Sequence, residues 1–334
     1  MEPLKLAIAC QGGGSHCAFG AGVLIELLSR IDAEGLLPYN GQRYRIVSLA
    51  GTSGGAINAL IAWLGLTHPV GPEIGRRALT DFWHDMSAHS VGDMFNNFFT
   101  VQSQRLREVL PHVESAPNVL SRWAQERILE LLQKYVPFET LPSMLGPHTP
   151  KLLIGAANVL TGQAHVFRAG PQRAPRAIEV LASTAVPNLY NAVDVDGQPY
   201  WDGLLSQNPP VRNLLSGCDL DEKPDAIWLL RINPREHSGI PQRLADITDR
   251  QNEMAGNLAL EQEMFFIRQV NKWLEQGVLD SSGFKPVVWQ EIVLDAKGDN
   301  GDSLDYASKL DRDPVFIEGL IALGREEARA FLGP

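Results

Sequence analysis

This sequence predicts an α/β fold with crossover connections, and two strand–turn–helix units near its N-terminus carry that prediction. In the first, the apolar run at 4–9 leads through Gly12-Gly13-Gly14 into a helical period over 18–31, with Val23, Leu24, Leu27, Leu28 and Ile31 on one face. In the second, residues 45–50 lead through Gly51-Thr52-Ser53-Gly54-Gly55 into a small-residue helix over 56–64. Strands alternating with helices of this length make a sheet whose strands are joined by crossing helices.

The remaining elements follow from period and punctuation. Between 65 and 150 the pattern turns helical, with periods at 75–86, 104–110 and 119–135 separated by Pro- and Gly-containing breaks. A cap-like helical insertion over about 66–150, packed over the sheet, is therefore expected. Residues 151–167 read as two strands around Thr161-Gly162-Gln163, and 226–232 as a further buried strand. The longest helical candidate is 246–277, where Met254, Leu258, Met264, Phe265, Ile267, Val270 and Leu274 recur mostly at three- and four-residue steps and are expected as a core stripe. Residues 286–294 read as a late strand and the Asp- and Gly-rich 295–305 as a loop. No internal repeat or low-complexity linker divides the 334 residues, so one domain over 1–334 is expected.

Composition narrows the function classes. An apolar fraction of 44% supplies a substantial core. The formal charge of -10, with basic residues scattered rather than clustered, argues against a nucleic-acid surface. Cys10, Cys17 and Cys218 are odd in number and irregularly spaced, which fits reduced thiols in a cytoplasmic protein better than a disulfide framework or a zinc site. The chain enters its first strand without a basic leader and long apolar stretch, and no window of about twenty apolar residues occurs, so neither a secretory signal nor a spanning helix is expected.

The chemistry concentrates at the two turns. A serine hydroxyl attacks a carbonyl only when its geometry exposes the oxygen and its proton can leave. In Gly51-Thr52-Ser53-Gly54-Gly55 the glycines permit a sharp strand-to-helix turn that projects Ser53 from the carboxyl end of the sheet. The Gly54 N–H and the positive end of the following helix favour negative charge there. Gly12, Gly13 and Gly14 can aim successive N–H groups at one point, as an oxyanion hole or a phosphate cradle requires. Ser15-His16-Cys17 follows where a Walker loop needs Gly-Lys-Ser/Thr, and Cys17 occupies the third glycine position of a dinucleotide loop, so nucleotide binding is the poorer reading. A Ser–His–acid triad would need a late histidine, and His237, beside Glu236 and Ser238, reads as an exposed loop residue. The alternative base is Asp202, before Gly203 and after Tyr200-Trp201, where a carboxylate can be turned into a cleft; a plain Asp-Gly turn is the competing reading.

Taken in order, the glycine loop, the Ser53 turn and Asp202-Gly203 resemble the patatin-like phospholipase family, as do Ala182-Ser183-Thr184-Ala185-Val186-Pro187 and the tract 151–167. The resemblance spans roughly residues 4–233, and the helix around 252–269 is similar to that of bacterial members. It implies a three-layer α/β/α fold with a mainly parallel sheet. It also implies a lipid acyl hydrolase that uses neither catalytic histidine nor metal nor other cofactor, with Ser53 as nucleophile, Asp202 as its dyad partner, and Gly12, Gly13 and Gly14 in the oxyanion loop. Two departures stand out: His16-Cys17 lies where the family often has Lys or Arg before Gly, and Leu204 follows Asp202-Gly203 where Gly or Ala is usual. The expected partner is a lipid or other acyl ester, with peripheral membrane contact and no nucleic acid. The aromatic segment at 93–99 either lines an acyl groove or closes a core beneath the cap. Acyl transfer to an alcohol, and a non-catalytic binding module that keeps the fold, stay open beside hydrolysis.

Overall fold

The computed structural model describes residues 2–89, 93, 94, 97, 119–187, 189–217, 219–236, 239–242, 244–295, 304 and 306–333. Cys218, His237, the 104–110 helix, Phe95, Phe98 and Phe99 of the aromatic segment, and most of the 295–305 loop lie outside the described residues.

Among the described residues nine strands form one mixed sheet: β1 (Leu4–Cys10), β2 (Leu37–Tyr39), β3 (Gln42–Thr52), β4 (Lys151–Asn158), β5 (Ala164–Ala169), β6 (Val193–Val195), β7 (Gln198–Asp202), β8 (Ala226–Arg231) and β9 (Val288–Val293). The spatial order is β6-β7-β4-β3-β1-β8-β9, with β2 paired to β3 and β5 to β4. From β4 to β9 along that order every pairing is parallel, while β7, β6, β5 and β2 join antiparallel.

The named helices are α1 (Cys17–Ser29), α2 (Gly54–Thr67), α3 (Pro72–Met86), α4 (Val119–Tyr135), α5 (Ala177–Ser183), α6 (Leu244–Glu275), α7 (Tyr306–Lys309) and α8 (Pro314–Leu332). Alternation along the strands sorts the core into two layers. Leu6, Ile8 and Cys10 of β1, with Trp228 and Leu230 of β8, face a large cluster that includes Phe19, Leu24, Leu60, Trp63, Phe82 and Leu320. Ala7, Ala9, Ile227 and Leu229 face the opposite way, onto Leu260, Met264 and Ile267 of α6. Helices on both faces of a mainly parallel sheet make the three-layer α/β/α architecture.

One expectation changes on contact with the structure. The stripe on α6 splits: Met264 and Ile267 are buried, but Met254, Leu258 and Phe265 are exposed. The face that meets the sheet runs through Glu253, Asn257, Leu260, Met264 and Ile267, and its two polar members bond to buried partners. Hydrophobicity alone therefore pointed to the wrong side of the helix near its N-terminus. Within the 66–150 segment, α3 sets Ala78, Leu79, Phe82 and Trp83 into the main core against α1 and α2. Asn97 ties the same region to the C-terminal part of the chain, donating to Asp311 and accepting from the Arg312 N–H. Among the described residues no helix is long and apolar enough to cross a membrane.

Candidate active site

Strand register brings the two turns and the acid together. Cys10 at the end of β1 pairs with Gly51, Thr52 at the end of β3 pairs with Gly155 of β4, and Ala156 pairs with Asp202 at the end of β7. Ser53 and Asp202, distant in sequence, thus emerge two strands apart at one edge of the sheet.

Ser53 adopts φ 57 and ψ -134, a conformation that L-residues avoid. Its N–H donates to Ser183 Oγ at 3.0 Å, and that hydroxyl donates to the Gly155 carbonyl at 2.6 Å. Thr52 Oγ1 donates to the Gln207 carbonyl at 2.7 Å and holds the preceding residue. The turn also depends on close backbone approach, since a Cβ on Gly55 would lie 2.3 Å from the Cys10 carbonyl oxygen. A strained serine persists only where its surroundings fix it, and here residues of β1, β4 and α5 and the loop at Gln207 do so.

Asp202 has no solvent exposure. Its N–H donates to the Ala185 carbonyl at 2.9 Å, and its Oδ1 accepts from the Leu204 N–H at 2.9 Å. Oδ2 makes no hydrogen bond of good geometry. Burial raises the carboxyl from its ordinary 3.8 to about 7, against the smaller lowering effects of the Ser53 hydroxyl and the Leu204 N–H. A carboxylate with that affinity for protons, in electrostatic contact with a serine, is suited to accept one near neutral pH.

The glycine loop lies directly against Ser53: a Cβ on Gly12 would fall 2.7 Å from Ser53 Cβ and 2.4 Å from the Thr52 carbonyl oxygen. Gly12 was expected to offer its amide to an oxyanion along with Gly13 and Gly14. In the structure that N–H is already taken, donating to Asn208 Oδ1 at 2.6 Å. Asn208 Nδ2 and Asn233 Nδ2 both donate to the Gly12 carbonyl, at 3.0 and 2.9 Å. Gln11 Oε1 accepts from the N–H groups of Ile232 and Asn233, and Gln11 Nε2 donates to Asn257 Oδ1. Gly12 is a clamped anchor, and the Gly13 backbone acts on the neighbouring Cys17 thiol.

His16 and Cys17, just beyond the glycines, are buried and uncharged. His16 is held well below its ordinary pKa, first by burial and then by the Lys309 charge, and its Nε2 lies 2.8 Å from Ser308 Oγ. Burial pushes the Cys17 thiol up to about 12, so it is not a thiolate near neutral pH. Among the described residues no group of three His, Cys, Asp or Glu side chains is placed to hold a metal ion.

Sequence reasoning singled out Ser53, Asp202 and the glycines, and it missed Asn208, Asn233, Gln11 and Asn257. Asn208 reads as an ordinary Asn-Pro turn, and nothing local marks it as the partner of a glycine 196 positions earlier. Ser183 and Ala185 had a local signal, the small-residue segment before Pro187, and they support Ser53 and Asp202 respectively.

A comparison with curated proteins finds no match. Among solved structures, VipD from Legionella pneumophila is similar over 96% of this chain and 67% of its own, at 13% identity and a TM-score of 0.39. The ExoU–SpcU complex from the type III secretion system of Pseudomonas aeruginosa is similar over 99% of this chain and 52% of the matched one, at 16% identity and a TM-score of 0.37. This chain thus spans about two thirds and about half of those two chains. The model of the family described as Patatin-like phospholipase matches residues 8–215, which take in the glycine loop, the Ser53 turn and Asp202. With well over half of its length matched, the chain belongs to the patatin-like phospholipase family.

Proposed function

We propose that this protein is a serine-dependent carboxylic ester hydrolase acting on acyl esters of lipids, with Ser53 as nucleophile and Asp202 as its proton acceptor. The observation that carries the reading is the strained Ser53 set beside a fully buried carboxyl whose Oδ2 lacks a hydrogen bond of good geometry. Asp202 takes the hydroxyl proton as Ser53 Oγ attacks the ester carbonyl, forming a tetrahedral oxyanion. The N–H groups of Gly13, Gly14 and Gly54 are assigned to that oxyanion, with Gly12 as their anchor. As the carbon–oxygen bond to the leaving alcohol breaks, Asp202 returns the proton to the departing oxygen. Water then attacks the acyl-serine, Asp202 takes a proton from it, and collapse of the second intermediate returns a proton to Ser53 and frees the acid. The substrate is met by peripheral contact with a lipid surface on the cytoplasmic side.

A graded series of acyl nitrophenyl esters, short to long, together with a diacyl phospholipid, tests the reading. The wild type is expected to hydrolyse them with a chain-length optimum, and Ser53→Ala to lose on the order of 10³-fold or more in kcat. Wild-type turnover in purified Ser53→Ala would sink the assignment.

A further inference from the structure

The catalytic reading leaves a buried ion cluster unexplained, and it lies beyond the residues matched to the family. The Lys309 ammonium is buried and donates to Asp249 Oδ1 at 2.7 Å and Glu253 Oε1 at 2.8 Å, two acids one turn apart on α6. Buried ion triads are weak stabilisers compared with apolar packing of the same volume, so their placement invites a specific explanation. This one sits against the glycine loop. The Lys309 carbonyl covers Gly14, which has φ +58, so closely that a Cβ there would lie 2.2 Å from its oxygen. The neighbouring Ser308 Oγ lies 2.8 Å from His16 Nε2, two residues further along the loop.

The cluster also reaches the other side of the loop. Glu253 Oε2 accepts from Arg250, whose guanidinium donates to the carbonyls of Pro234 and Arg235. Those residues directly follow Asn233, which donates to the Gly12 carbonyl. One connected set of contacts therefore grips the loop at Gly12 and again at Gly14 and His16. The Lys309 ammonium stays protonated beside its two carboxylates, and His16 stays neutral, so the contact at His16 is a hydrogen bond rather than an ion pair.

We infer that Ser308 and Lys309 are positioning residues for the oxyanion amides, fixing Gly14 and His16 so that the Gly13 and Gly14 N–H groups face the carbonyl attacked by Ser53. The inference rests on the serine-hydrolase reading and extends it to a segment outside the family match. Rigid placement of oxyanion donors matters because their advantage lies in needing no reorganisation as charge develops.

The test uses the full chain with the nitrophenyl ester that the wild type prefers, and a trifluoromethyl ketone of the same chain length as a mimic of the oxyanion. Two proteins carry it: Ser308→Ala, and the triple variant Lys309→Met, Asp249→Asn, Glu253→Gln, which removes the buried charges together. Each is expected to lose roughly tenfold or more in kcat and to weaken ketone binding by a similar factor, with KM within about twofold, because only the transition state uses the amides. Ser308→Thr, which keeps the hydroxyl, is expected to recover most of the loss. Folded variants with wild-type kcat and ketone affinity, or a loss carried wholly by KM, would overturn the inference. If the triple variant does not fold, Ser308→Ala with its threonine rescue decides alone. Ser53→Ala in parallel separates the two readings: full turnover there overturns the serine mechanism itself, whereas a dead Ser53→Ala beside fully active Ser308→Ala overturns only the positioning role.

Discussion

Asn208 holds the Gly12 peptide from both ends, accepting from its N–H at 2.6 Å and donating to its carbonyl at 3.0 Å. A single amide side chain thereby fixes the first glycine of the loop against Ser53. Asn208→Ala leaves a buried N–H without its partner, at a stability cost of about 1–3 kcal/mol. It also frees the loop, and kcat is expected to fall by about tenfold or more, as for other losses of oxyanion geometry. Urea unfolding and steady-state kinetics on the same preparation check both; an unchanged kcat would show that the clamp is structural only.

The Asp202 carboxyl, raised to about 7, makes two predictions with one cause. As proton acceptor it must be ionised, so kcat/KM is expected to rise with pH through about 7 and then level off. A profile flat from pH 5 to pH 8 would remove Asp202 from that role.

The same shift bears on stability. Between its ordinary value and about 7 the native state binds this proton more tightly than the unfolded chain does, so the group's contribution to stability falls as pH rises across that window. Above it, the fold carries a buried carboxylate. Asp202→Asn removes the charge, and is expected to raise stability at pH 8 by about 1–3 kcal/mol, with a smaller gain at pH 5, while abolishing turnover. Urea titrations at the two pH values, on wild type and variant, supply the comparison.

The pair at the heart of this site was legible because its signals are local. Ser53 sits in a five-residue glycine pattern between a strand and a helix, and Asp202 precedes a glycine after an aromatic approach. Both fold as read. What was not legible depends on distant pairing. Asn208 meets Gly12 only after β7, which it follows, has paired with β4 and so been brought through β4 and β3 toward the end of β1. On α6, Glu253 and Asn257 are drawn inward by Lys309, Gln11 and Arg231, so the buried face carries polar residues that hydrophobic periodicity assigns to solvent. The same cause leaves Met254 and Leu258 exposed.

Cys10 and Cys17 are buried thiols whose pKa values burial raises, so neither is expected to react as a thiolate. Iodoacetamide at pH 8 is expected to leave both unmodified in the native enzyme and to react with them after denaturation. Peptide mapping of the alkylated protein reads the outcome. Native labelling of Cys17 with proportional loss of activity would make it part of the reaction.

Packing between the two turns gives a final prediction. A Cβ on Gly54 would lie 2.7 Å from Cys17 Sγ and 2.9 Å from Cys17 Cβ, but 3.3 Å from the next nearest atom, the Gly14 carbonyl oxygen. The obstruction at Gly54 is therefore almost entirely the Cys17 side chain. Gly54→Ala alone is expected to destabilise the protein by about 1–3 kcal/mol through overpacking. Cys17→Gly alone lowers stability by the loss of a buried side chain and by added chain entropy. Combined, the two should be less damaging than their sum, with a coupling of about 1 kcal/mol or more in a double-mutant cycle, because the methyl introduced by Gly54→Ala fills the space that the Cys17 side chain vacates. Additive effects would mean that the loop and the elbow yield independently, and that α1 and α2 do not share a rigid contact at the site.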